Sequence, residues 1–476
     1  MTGKRQLETA QPRSGLRGLG RWARAACTGL VLGVSATSAG AASLEEAVRA
    51  ALTTNPALQA TNAEMRAAAY DLIALERNYL PTVTAFGEAG GEWVDDPGSL
   101  SADDNDEWKA TAQLGVGAEL TLFDGYQRAN RIYDNAARVD GRIFALLDAS
   151  ETMALNATEA YFDVVRHRML VDAAQRNLDR HIEIADQVRA LVQGGRLPSS
   201  DALTADDRLQ AASLAIVQLR QALRDANSRY ERVIGAAPGG GMQIPRLSNL
   251  PATRDALVQA ALRNSFRLRQ AQSAIDQSVY EQEIAKGTRL PQVTLNAGVT
   301  QGENRDGQRG SETDAFLGLR MNWTLYSGGR PAEDKAAIER SNQAFYSRQD
   351  TMREVEELAQ RAWSSLQSNT ESAILADRQL RANREIVRQF REEFTASSRS
   401  LLDVLEAERA LYNVEFRKIS TDASFAFSQF RVLAAQSRLA AHFGIAESEI
   451  ALEPTFQARA LVAPRAIFDT EIPALE

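Results

Sequence analysis

Residues 50–52 read Ala-Ala-Leu, and residues 260–262 read Ala-Ala-Leu again. The same offset of 210 carries Tyr70 onto Tyr280, and Leu80-Pro81 with Val83-Thr84 onto Leu290-Pro291 with Val293-Thr294. Farther along, Leu114-Gly115 and Thr121-Leu122-Phe123-Asp124-Gly125 match Leu317-Gly318 and Thr324-Leu325-Tyr326-Ser327-Gly328 at an offset of 203. Then Ala160-Tyr161 matches Ala362-Trp363, Gln187 matches Gln389, and Asp201, Leu203 and Ala205 match Asp403, Leu405 and Ala407 at 202. The order never changes and the offset shifts only in loops. One unit of about 200 residues therefore occurs twice, and no fold without internal symmetry fits such a chain.

Both copies follow one grammar. A helix of about 35 residues opens each, over 44–78 and 253–287, and is stopped by Pro81 or Pro291, which cannot continue a helix. Strand hairpins follow over 80–123 and 290–326, around loops rich in Asp, Gly and Ser. The second strand of each alternates: Ala110, Ala112, Leu114, Val116, Ala118, Leu120 and Leu122 oppose Thr111, Gln113, Gly115, Gly117, Glu119 and Thr121. In the second copy Leu317, Leu319, Met321, Trp323 and Leu325 oppose Gly318, Arg320, Asn322 and Thr324. Period-two strands of about ten residues with one apolar face and aromatics near the ends suit a membrane β-barrel. Periodicity alone fits a half-buried hairpin of a soluble domain equally well.

A long helical hairpin completes each copy, over 126–233 and 332–442. From Tyr126 to Gln193 there is no proline and only Gly141 interrupts, so one helix would run ~100 Å. Ala157, Ala160, Val164, His167, Val171, Ala174, Leu178, His181, Ala185, Val188 and Val192 mark a coiled-coil seam on it, spaced alternately by three and four. His167 and His181 read as seam residues, since no nearby Cys, His or acid completes a metal site. Gly194-Gly195-Arg196-Leu197-Pro198 turns the first hairpin, and the segment around Ala396-Ser397-Ser398 turns the second. The copies span 43–235 and 253–450, with a linker at 236–252 and a tail at 451–476.

The first forty residues differ in kind. Six basic residues against Glu8, an apolar run from Ala25 to Val34 and the close Ala39-Gly40-Ala41 form a secretory signal peptide over 1–41. Its removal takes the net charge from -8 to -13 and discards Cys27, the one cysteine, leaving no thiol for a disulfide or metal cluster. Past the leader no run approaches the ~20 apolar residues of a spanning helix, and mean hydropathy is -0.31. Net acidity argues against a nucleic-acid partner. Asp95, Asp96, Asp103, Asp104, Asp106 and Glu107 crowd one loop without the glycine or terminal glutamate of a calcium loop, and read as solvated surface. No catalytic triad, phosphate loop or H-E-x-x-H points to an enzyme or a cofactor.

A ~100 Å helix cannot bury itself in one globular domain, and four strands cannot close a barrel, which needs about eight. Both demand an oligomer. Two or three chains would supply enough strands.

The leader, the duplicated helix–strand–strand–helix–helix order, Leu122-Phe123-Asp124-Gly125 and the tip sequence from Ser398 to Ala407 together resemble the TolC-like outer-membrane efflux family over about residues 43–450. The resemblance implies an α+β membrane protein of the Gram-negative outer membrane. It would be a homotrimer with a twelve-stranded barrel in the lipid, continued by a periplasmic α-helical coiled-coil barrel. The linker and tail would lie around the equator. The tip is closer to the type I secretion branch than to the lipoprotein multidrug branch, whose acylated cysteine is missing. Expected partners are a periplasmic adaptor and an inner-membrane ABC transporter, or a proton-driven pump.

The hairpin tips, marked by Gly195, Leu197, Ser398 and Leu401, become the expected gate. By resemblance, Arg399 matches a latch to Asp201 and Ser200, and Phe394 stands where the family has an aromatic hydroxyl, losing one hydrogen bond. Asp403 and Glu406 lie three apart on one helix face. In a trimer each would form a ring of carboxylates that favours cations, whereas an isolated pair of this kind is ordinarily a solvated face. The leading expectation is a passive exit duct for secreted protein. Its rivals are a multidrug or metal efflux duct of the same build, and a secreted coiled-coil scaffold.

Overall fold

A computed structural model describes residues 43–95, 98, 106–245, 247, 250–396, 398–453 and 459. The leader, Asp96, Asp103, Asp104, Ser397 and most of the tail lie outside the described residues. The first copy contains α1 (Leu44–Thr54), α2 (Pro56–Arg77), β1 (Thr82–Val94), β2 (Glu107–Phe123), α3 (Gln127–Gln193) and α4 (Ser199–Ile234). The second contains α5 (Arg254–Asn264), α6 (Phe266–Gly287), β3 (Gln292–Glu303), β4 (Ser311–Asn322), α7 (Arg330–Thr395) and α8 (Leu401–Ala434), followed by the short α9 (Leu439–His442) and α10 (Glu447–Ile450).

Three helical segments differ from the sequence reading. Each opening helix is two helices. Pro56 pushes Asn55 into an extended conformation (ψ 122°), and the Asn55 side chain then caps α2 by accepting from the Ala57 amide at 3.0 Å. Ser265, at the matching place, caps α6 through the Leu268 amide. The last long helix stops at Ala434 instead of running to 442. There the chain enters a left-handed turn at Ser437 (φ 53°), and Arg438 N–H returns to the Leu433 carbonyl.

The four strands form one antiparallel sheet in chain order, β1-β2-β3-β4, with β1 and β4 as open edges. Register sets the faces. Val83 pairs with Ala118, Ala118 with Ala297 and Ala297 with Leu317, while Leu295 pairs with both Leu120 and Leu319. This face holds the exposed Leu114, Val116, Leu317, Leu319 and Met321. Trp93 pairs with Trp108 at its loop end, and Trp323, whose Nε1 donates to the Arg289 carbonyl at 3.0 Å, stands at the helical end. An apolar band between aromatic belts is the lipid-facing pattern of membrane barrels.

The strand-to-helix junction explains the Leu122–Gly125 motif. Gly125 is left-handed (φ 66°), and a Cβ there would stand 2.3 Å from the Gly287 carbonyl oxygen, so only glycine fits. Asp124 Oδ2 accepts from the Arg128 amide and from Arg128 Nε, and the guanidinium also reaches the carbonyls of Thr121 and Asn78. Arg330 repeats this clasp on the Thr288 carbonyl at 3.0 Å. Both arginines tie the start of a long helix to the end of the short helix before the hairpin.

The helix α3 is 67 residues long, about 100 Å, and packs along α4, α6 and α8. All eleven seam residues are buried or half-buried. The main core gathers at its middle, where Tyr161, Phe162, Tyr230, Phe430 and Leu439 meet; Phe162 and Phe430 stand edge to face at 5.3 Å. Glu151 of α3 enters this core and accepts from the amides of Leu439 (2.8 Å) and Ala440 (3.0 Å), fixing the start of α9.

Candidate functional site

The helical tips are built by local rules. Gly195 is left-handed (φ 69°), and the Arg196 amide closes back on the Leu191 carbonyl at 2.9 Å, ending α3 with a Schellman-type turn. Pro198 then leads into α4, whose first turn carries Asp201. At the second tip Ser398 N–H and its hydroxyl both donate to the Glu393 carbonyl. Ser400 caps α8 by accepting from the Asp403 amide at 3.2 Å.

The two tips pack on one another through Ile184, Val188, Leu401, Val404 and Leu405, with the half-buried Leu197, Phe390 and Phe394 at the rim. Phe394 is thus placed as a packing residue at the rim of this contact.

Arg399 does not pair with Asp201 within the chain. Its guanidinium binds Glu393 at 2.8 Å, approaches Asp403 at 3.8 Å and lies 4.1 Å over the Phe390 ring. These partners are on its own tip and need no hairpin–hairpin movement to reach. Asp201 is half-buried, makes no ion pair among the described residues, and stands beside exposed Ser200. Asp403 is half-buried against Arg399, and the exposed Glu406 meets Arg208 of α4 at 3.4 Å. Each acid of the expected rings therefore has a cation of its own chain beside it.

Just behind the tips lies a charged cluster that the sequence reading missed. Glu408 is fully buried, its carboxylate accepting from Arg391 Nε at 2.6 Å and facing Arg180 Nε of α3 at 3.1 Å. About two turns farther along α8, Glu415 faces Arg180 at 3.6 Å and Arg384 at 3.5 Å. Burial, together with Arg180, Arg208 and Arg391, lowers the pKa of neighbouring His181, disfavouring a charged ring among these cations. Arg180 thereby joins the first hairpin to α8, whose same two carboxylates also hold Arg391 and Arg384 of α7. Acidic residues at helical spacing read as solvated, which hid the cluster. The signal available was the repeat itself: Arg189 and Asp206 of the first hairpin, paired at 3.1 Å, recur at offset 202 as Arg391 and Glu408.

Neither seam histidine is placed as a metal ligand: His167 Nδ1 lies 2.8 Å from the Asp163 carbonyl oxygen, and His181 is packed in the cluster just described. At the loop end of the sheet Glu107, the first residue of β2, pairs with Arg309 between β3 and β4 at 2.5 Å. Among the described residues no helix is long and apolar enough to cross a membrane.

Known proteins share this organisation. The outer membrane efflux protein BepC of Brucella suis biovar 1 is 24% identical over 413 residues, covering 84% of this chain and 88% of BepC. The alkaline protease secretion protein AprF of Pseudomonas aeruginosa is 24% identical over 375 residues, 75% of this chain and 76% of AprF. In fold, the CmeC outer membrane channel of Campylobacter jejuni superposes with a TM-score of 0.73 at 15% identity, over 88% of this chain and 89% of CmeC. The family model described as outer membrane efflux protein matches residues 47–236 and 257–436, one stretch in each copy of the repeat. The chain belongs to the outer membrane efflux protein family.

Proposed function

We propose that this outer-membrane efflux channel is the passive exit duct of a type I protein secretion system. Three chains would close the four-stranded sheets into one twelve-stranded barrel and join the helical hairpins into a periplasmic tube. An inner-membrane ABC transporter would supply the driving force through a periplasmic adaptor. The observation that carries the reading is a four-stranded sheet with an exposed apolar face and two open edges, continuous with ~100 Å helical hairpins. A passive conduit needs width, wall chemistry and a gate, and the tips carry charged residues of both signs, among them Arg399, Glu393, Asp403, Glu406 and Arg208.

Protein cargo is favoured by the tip sequence Ser398–Ala407 and by likeness to a relative named for alkaline protease secretion. In the closed state Arg399 would reach Asp201 and Ser200 of a neighbouring chain, exchanging Glu393 for them, while Asp403 and Glu406 would ring the axis. An Arg–carboxylate pair in reach of water suits a latch, because it is directional and costs little to break. The test is a deletion strain. Loss of a secreted protein from the medium, restored by the wild-type gene, supports the reading. Unaltered secretion with new drug or metal sensitivity would transfer the duct to a proton-driven pump, the reading favoured by the efflux relatives.

A further inference from the structure

Strand register places Phe86 opposite Gly115 and Phe316 opposite Gly298. Both pairs lie on the polar face of the sheet, with Glu88, Gln113, Glu119, Asn296 and Asp314, turned away from the lipid band. Each ring lies across its glycine. A Cβ at Gly115 would stand 2.5 Å from Phe86 Cζ, and one at Gly298 would stand 2.6 Å from Phe316 Cε1. The rings are therefore laid down along the wall, in space that any other residue would fill. In the single chain about half of each ring remains exposed, 46% for Phe86 and 55% for Phe316. Their strands, β1 and β4, are the two edges of the sheet, so closure between chains brings a Phe86 strand beside a Phe316 strand at every seam.

Two phenyl groups on the wetted face of a barrel wall are not needed for lipid contact. The glycines beneath them keep the bore wide while presenting an apolar surface to it. We propose that Phe86 and Phe316 are the residues of the barrel wall that contact cargo, forming flat pads for the apolar side chains of an extended polypeptide in transit. The inference rests on the protein-export reading above. A phenyl face binds by dispersion and ring electrostatics without demanding a particular hydrogen-bond partner, so it accepts many side chains in turn. Each contact is weak enough to release, as passage through a pore requires.

The test is single-channel recording in planar bilayers, with peptides added on the side of the strand loops so that they need not pass the helical gate. Two 20-residue probes are compared, one of Gly and Ser only, and one with Leu and Phe interspersed. With the wild type, the apolar probe should block current longer than the Gly-Ser probe. In Phe86→Ala/Phe316→Ala its dwell should shorten roughly three- to tenfold, with the Gly-Ser dwell and the open conductance unchanged. Phe86→Leu/Phe316→Leu, which keeps volume over the glycines, should also shorten the apolar dwell, and serves if the alanine pair assembles poorly. Gly115→Ala and Gly298→Ala should each raise a ring into the bore and lower conductance. Entry of both probes with an unaltered apolar dwell in the variants overturns the pads and leaves the duct standing. Ion current without entry of either probe rejects the pads and polypeptide export together.

Discussion

Arg391 and Glu408 are the buried counterpart of an exposed pair. The same two places in the first hairpin hold Arg189 and Asp206, 3.1 Å apart with both side chains over 40% exposed. In the second hairpin the carboxylate is fully enclosed, and Arg180 is added from the other copy. Duplication supplied one charge pair twice, and packing gave the copies different roles.

Breaking the two pairs should therefore have unequal effects. Glu408→Ala leaves Arg391 and Arg180 without their shared anion, a loss of roughly 3–5 kcal/mol for a buried pair. Asp206→Ala breaks a water-exposed pair and should leave stability almost unchanged. Helical circular dichroism on heating should show a markedly earlier transition for the first variant and almost none for the second. Equal midpoints would mean that the buried cluster does not join the hairpins.

The proposed latch predicts that Arg399→Ala with Asp201→Ala raises conductance in planar bilayers. Glu393→Gln is the informative control, since it removes the partner seen within the chain but not the one proposed between chains. Wild-type conductance in the double variant would reject the latch.

If Asp403 and Glu406 line the axis, micromolar trivalent cations should block the current. Neutralising both, as Asp403→Asn with Glu406→Gln, should abolish that block. The in-chain partners Arg399 and Arg208 compete with it, so retained block in the neutral variant would place the cation elsewhere.

Glu151 predicts a pH dependence. Burial, opposed in part by the amides of Ala440 and Leu439, pushes its pKa from 4.5 to about 7. A carboxyl raised on folding stabilises the fold when protonated. Its contribution is complete below about 4.5 and is lost as pH rises through about 7. Thermal stability should accordingly fall between about pH 4.5 and 7 by about this group's share, and Glu151→Gln should flatten that slope. An identical slope in the variant would assign it to other groups, with Asp134, raised to about 6, the first to examine.

Much of the architecture was legible because it follows from periodicity. Alternation gave the faces of β2 and β4, and heptad spacing gave the seam of α3. What escaped was set locally or by packing. Asn55-Pro56 broke a helix that hydrophobic spacing alone carried through, although an Asn before Pro is itself a cap signal. The end at Ala434 lacks a glycine or proline to announce it, because the turn there is held by the left-handed Ser437. At the tips, the residue types were readable but their pairing was not: Glu393 lies nearer to Arg399 along one loop than any residue of the other hairpin. Glu408 and Glu415 look like surface acids until α3 is laid against α8.

The two open sheet edges have a genetic consequence. A wall shared among chains has no private section that a sound subunit could keep intact, so one chain with a damaged β1 or β4 spoils the whole ring. With random mixing into threes, equal amounts of normal and edge-defective chain would leave only about one assembly in eight free of the defect. Edge-strand alleles should therefore be dominant over the normal gene, whereas alleles that prevent export or folding of the chain should be recessive.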